Sequence, residues 1–69
     1  MIAKKIKHIM IEKDISTKEV AERIGTSSSN ISNKLRRDNF SEKEIREIAE
    51  ALECDFDVIF TIRDTGKTI

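Results

Sequence analysis

The sequence predicts a mainly α protein, a small four-helix domain followed by a single C-terminal β-strand. Apolar residues recur at helical spacing in four successive stretches, and serines and a glycine punctuate the junctions between them. Beyond residue 55 the apolar period shortens to two. With 69 residues there is room for one domain, which hides only about 60% of its unfolded surface and is therefore marginally stable. The apolar set is mostly Ile, Ala, Val and Leu with three Phe and no Trp or Tyr, which suits a compact bundle better than an all-β fold.

The first helix is expected from Met1 to about Lys13, with Ile2, Ile6, Ile9 and Met10 on one face and lysines between them. Asp14 and Ile15 break it. Ser16-Thr17-Lys18-Glu19 has the pattern of a reciprocal capping box and opens a second helix, whose inward face is Val20, Ala21 and Ile24. Gly25 ends that helix, because glycine most readily takes a left-handed C-terminal conformation. Ser27 is a good N-cap for a third helix running through Ser28 to Arg37, with only Ile31 and Leu35 facing inward. Asp38-Asn39-Phe40 reads as a loop whose phenylalanine plugs the core. A second capping box, Ser41 to Glu44, opens the fourth helix, where Ile45, Ile48, Ala49 and Leu52 form an amphipathic stripe.

Residues 1–54 are thus expected to form the helical domain, and residues 55–69 an extension of strand and turn. Phe56, Val58, Phe60 and Ile62 alternate with Asp57, Ile59, Thr61 and Arg63, and Asp64 to Lys67 reads as a turn. A lone strand cannot satisfy its own backbone, and the two residues beyond the turn are too few for a stable hairpin. The strand over 56–63 is therefore expected to pair with its counterpart in a second copy about a two-fold axis. Phe56, Val58, Phe60 and Ile62 would then be the dimerisation residues. The alternatives are that it folds onto its own domain or that further sequence completes a sheet.

Composition narrows the function. Cys54 stands alone, which rules out an intramolecular disulfide and fits a reducing compartment. No apolar run approaches a membrane span, and Lys4, Lys5 and Lys7 interrupt any signal-like start, so a cytoplasmic protein is expected. With one His, one Cys and no organised carboxylate pair, neither catalysis nor a metal or cofactor site is expected. The net charge is zero, but it is unevenly spread. Residues 1–37 carry nine Lys/Arg against four Asp/Glu, a net of +5, and residues 38–69 carry four against nine, a net of −5. One face suited to a polyanion and another that avoids it would produce this pattern.

The third helix sharpens that reading. At about 100° per residue, with Ile31 at 0° and Leu35 at about 40°, Asn33 points directly outward at about 200°. Ser29 and Arg37 flank it within about 40°, Arg36 and Asn30 lie slightly further round, and Ser28 reaches forward from the helix start. This face is polar, edged by arginines and free of carboxylates until Asp38. Short hydroxyl and amide side chains can meet base edges in a major groove, while Arg and Lys meet phosphates. Helix N-termini at Thr17 and Ser28 add anion-binding N–H groups.

At Ser16-Thr17-x-Glu19-Val20-Ala21-x-x-Ile24-Gly25-Thr26-Ser27-x-x-Asn30-Ile31-Ser32 the chain resembles the lambda-repressor-like (Cro/cI-type, XRE) helix-turn-helix family. Asn33-Lys34-Leu35 and the helix from Ile45 to Leu52 extend the resemblance over roughly residues 2–54. It implies a double-stranded DNA-binding transcription regulator of repressor type, acting as a homodimer on a dyad-symmetric operator. It also implies base contacts from Ser28, Ser29, Asn33 and Lys34, and phosphate contacts near Thr17, Ser27 and Asn30. Lys18, Arg36 and Arg37 join the phosphate set by charge and position. The chain departs from the family at Thr17, where glutamine is common, and at Ser28 and Ser29, which are shorter than the glutamines often found there. Arg36-Arg37 replaces a frequent Asn-Gly, so these arginines either meet the DNA backbone or remain solvated. The competing expectation is an antitoxin or adaptor whose acidic C-terminal half binds a protein partner.

Overall fold

The computed structural model describes residues 1–69 and contains four helices: α1 (Ile2–Lys13), α2 (Thr17–Ile24), α3 (Ser28–Arg37) and α4 (Glu42–Ala51). Helix α2 packs on both α3 and α4, and α1 packs on α3. The core between them is Ala3, Ile6, Met10, Val20, Ala21, Ile31, Leu35, Ile48, Ala51 and Leu52, with Ile2, Ile9, Ile15, Ile24, Phe40 and Cys54 packed around it. Val20 and Leu52 are the largest fully buried side chains. Phe40 does lie against the core as its loop position predicts, and Ala3 and Ala51 are buried in it.

Local signals set most helix ends. Ser16, Ser27 and Ser41 each accept a hydrogen bond from the backbone N–H three residues on, at 3.1 Å. At α4 the box is reciprocal, because the Glu44 carboxylate accepts from the Ser41 N–H at 2.8 Å. At α2 only half of the expected box forms. The Glu19 carboxylate turns instead to Arg23, one turn along, at 2.6 Å. A full charge at i+4 outcompetes a neutral N–H that water can satisfy. Gly25 takes the expected left-handed conformation at φ 88° and donates to the Ala21 carbonyl at 2.8 Å.

Two helix ends are capped from a distance. Helix α1 has no side-chain cap of its own and no acid in its first turn. Its orphan donors are met by Asp38, whose carboxylate accepts from the Ala3 N–H at 2.9 Å and pairs with the Met1 ammonium. Helix α4 has no basic residue in its last turn. There Lys13 of α1 donates to the Leu52 carbonyl and Arg23 of α2 to the Ala51 carbonyl, each at 2.6 Å. In both cases a full charge is placed against the helix terminus of opposite sign.

The C-terminal segment departs from expectation, for there is no β-strand over 56–63, and the expected pairing of such a strand with a second copy is not supported. Residues 60–69 instead fold back on themselves. Phe60 and Ile69 exchange N–H···O bonds at 3.0 and 2.9 Å, Ile62 donates to the Lys67 carbonyl at 2.8 Å, and a single antiparallel bridge joins Thr61 to Thr68. Thr68 and Ile69, which looked too few to pair, are enough for this one bridge because Gly66 turns the chain at φ 73°. Upstream, two local contacts compete with strand formation. The Asp57 carboxylate takes the Val58 N–H at 2.9 Å, and the Phe56 ring lies 5.3 Å beneath the Arg46 guanidinium. The molecule is accordingly elongated, 44 × 22 × 19 Å, with a radius of gyration of 13.8 Å against about 11 Å for a compact chain of this length.

Candidate nucleic-acid interface

Helices α2 and α3 and the three residues between them, Gly25, Thr26 and Ser27, present one surface. The turn is held by successive N–H groups of Gly25 and Thr26 on the Ala21 carbonyl, at 2.8 and 2.9 Å. The first turn of α3 is bound back to it: Asn30 donates its N–H to the Ser27 hydroxyl and its side-chain amide to the Thr26 hydroxyl at 2.9 Å. This fixes the angle at which α3 leaves the turn. Beneath, Ile31 and Leu35 are buried against Val20, Ala21 and Met10 of the shared core.

The remaining residues of α3 define the outward face. Ser28, Ser29, Asn30, Ser32, Asn33, Arg36 and Arg37 are all exposed. Within the chain, Ser28, Ser29 and Arg37 have no side-chain partner, while Asn33 accepts from Arg36 at 3.0 Å through its Oδ1. Lys34 lies apart from this face. It is half-buried and ion-paired with Glu44, the same carboxylate that closes the capping box of α4. Ser32 and Lys34 are equally far round the helix from Asn33, about 100° by helical geometry, and burial separates them. The flank that reaches solvent freely is the Ser32 side, which sequence periodicity alone could not distinguish.

Three acidic residues close to this surface are held by specific partners, whereas Glu22 of α2 stays exposed. Asp38, next after Arg37, turns its carboxylate to the start of α1. The Met1 ammonium, followed by the Ala3 N–H, holds that carboxyl below its ordinary pKa of 3.8. Glu19 is occupied by Arg23 and Glu44 by Lys34. The cations Lys18, Arg36 and Arg37 remain exposed. Of the residues expected to meet phosphate, Thr17 is the first residue of α2 and half-buried, and Ser27 is exposed at the N-cap of α3. Thr17 and Ser28, as N1 residues of α2 and α3, have backbone N–H groups free of intrahelical partners, as any N1 residue does.

The tail residues expected at a dimer contact scatter. Phe56 is half-buried at Arg46, whereas Val58, Phe60 and Ile62 are exposed, together with Ile59 and Ile69. His8 lies on the exposed face of α1, 3.6 Å from Glu12, and no three His, Cys, Asp or Glu side chains come together. No helix is long and apolar enough to cross a membrane.

Residues 5–64 match the Cro/C1-type HTH DNA-binding domain, a span that contains the whole of α2, α3 and α4. No curated protein and no solved structure matches the chain. The matched span includes the two helices and the turn that form this surface, and the outward face of α3 carries no carboxylate. The chain belongs to the Cro/C1-type helix-turn-helix DNA-binding family.

Proposed function

We propose that the protein is a cytoplasmic, non-catalytic transcriptional repressor that binds a dyad-symmetric operator as a homodimer, with α3 in the major groove. The observation that carries this is the outward face of α3, exposed and free of acid, with the neighbouring carboxylates held by Met1, Ala3, Arg23 and Lys34. Ser28, Ser29 and Asn33 are the base-reading residues of this arrangement. A contact from Lys34 requires its ion pair with Glu44 to open. Thr17, Lys18, Ser27, Asn30 and Arg37 hold the DNA backbone, and Arg36 lies between the two groups. Two copies would set their α3 helices about 34–36 Å apart, one turn of duplex. The apolar surface available for self-association is in the tail, where Ile59, Phe60 and Ile69 are 66, 71 and 74% exposed.

The test is selection of bound sequences from a random duplex pool at two salt concentrations, using the purified chain. A dyad-symmetric site is expected, lost on Asn33→Ala or Ser29→Ala. Replacing Arg37 with Ala should weaken all sequences alike and reduce the salt slope by about 1. Failure of folded protein to enrich any sequence at low salt would reject the DNA reading. A stable monomer at concentrations on the order of tens of micromolar would reject the dimer.

A further inference from the structure

We propose that Asn33 and Arg36 act as one donor-rich unit that reads guanine in each half-site. This rests on the DNA-binding reading above and gives it a base. Alone, an asparagine amide offers one acceptor and one donor group, the complement of adenine, which presents N7 and its N6 amino group in the major groove. In this protein one of the two lone pairs of that acceptor is already engaged by a cation. Asn33 Oδ1 receives a guanidinium N–H of Arg36 at 3.0 Å, across one turn of α3. Both side chains are exposed, and they lie within about 60° of each other around the helix.

What the pair then shows to solvent is chiefly donors, the Asn33 amide N–H groups and the unused N–H groups of Arg36, with one lone pair left on an oxygen beside the guanidinium. Guanine presents two acceptors on its major-groove edge, N7 and O6, and no donor there. An adenine amino group would instead have to approach the remaining lone pair of an oxygen that a guanidinium already engages. Cytosine's amino group also calls for an acceptor, which this donor-rich pair disfavours, and the outward face of α3 carries no carboxylate to supply one. Nearby acids cannot substitute: Asp38 is turned to the start of α1 and Glu44 to Lys34. Arg36 is therefore a specificity-determining residue through its hold on Asn33 as well as through its own contact.

The experiment starts from the site selected with the full chain and replaces each of its guanines in turn. 7-Deazaguanine removes the N7 acceptor, while inosine keeps N7 and O6 and lacks only the minor-groove amino group. At one guanine per half-site, 7-deazaguanine is expected to weaken binding roughly 10-fold or more, and inosine less than about twofold. The Arg36→Ala variant, checked for helix content by circular dichroism, frees Asn33 Oδ1 and should move the preferred base at that position from guanine to adenine. Unchanged binding with 7-deazaguanine at every position, or an unchanged base preference in Arg36→Ala, overturns the inference and leaves DNA binding intact. Absence of any enriched site removes the DNA reading itself, and the inference with it.

Discussion

In residues 1–54 each helix turns its apolar stripe towards a neighbour, whereas in residues 55–69 nearly every apolar side chain faces solvent. Composition does not account for the contrast: six of the fifteen tail residues are apolar, against 38% of the whole chain. The difference is topological. A helix closes its backbone hydrogen bonds within itself and needs only one packed face, which another helix of the bundle supplies, α3 for α1 and α2 for α4. An extended segment needs a second strand for its backbone and a second layer for its side chains. The tail finds one bridge, Thr61 to Thr68, and no layer. Apolar pattern thus buries a segment only where the topology brings it a partner.

The largest test of this contrast is a core truncation in the body. Leu52 is 1% exposed, and Leu52→Ala should cost about 3 kcal/mol. Urea unfolding would show this as a fall in the midpoint with little change in slope. In a domain of this size that is a substantial share of the total stability, so a loss under about 1 kcal/mol would mean the helices are not packed as described.

Gly25→Ala comes next. Apart from the adjacent residues of the chain, no atom lies within 4 Å of where the new methyl group would sit, so the cost is that of holding alanine at φ 88°, about 1–2 kcal/mol. Affinity for DNA should fall along with stability if the turn sets the angle of α3. Thermal melts paired with binding isotherms separate these effects, and an unaltered melting temperature would argue against the left-handed turn.

Asp38 offers a smaller, pH-dependent test. The Met1 ammonium and the Ala3 N–H lower its folded pKa, so its ionised form stabilises the fold above the ordinary carboxylate range. That contribution disappears as pH falls through the depressed folded value, below 3.8. Asp38→Asn should therefore melt below the parent at pH 7, with the two melting curves converging at the acid end. A gap that stayed constant with pH would show that charge plays no part in capping α1.

The smallest effect is expected in the tail. Phe60 is 71% exposed, and Phe60→Ser should change unfolding stability of dilute protein by less than about 0.5 kcal/mol. Sedimentation velocity is the informative measurement here, because weaker self-association with unchanged monomer stability would assign the tail to assembly rather than folding.

Much of the body was legible from residue order. The serine caps at 16, 27 and 41, the left-handed Gly25 and the inward set Val20, Ala21, Ile31 and Leu35 all depend on interactions within a few residues. The polar outward face of α3 follows from the same periodicity. The strand over 56–63 was misread because alternation reports which side chains share a face and carries no information on whether a partner strand exists.

Local chemistry along the chain therefore determined where most helices start and stop, which faces are buried, and that the outward face of α3 is left polar. Only the tertiary structure decided how competing partners were shared. Asp38 reaches the start of α1 across 35 residues, Lys13 and Arg23 reach the end of α4, and Glu44 draws Lys34 away from the face that Ser32 keeps. Each is a choice of one charged group among several, settled by distance and exposure after the helices have packed, and no residue spacing along the chain encodes it.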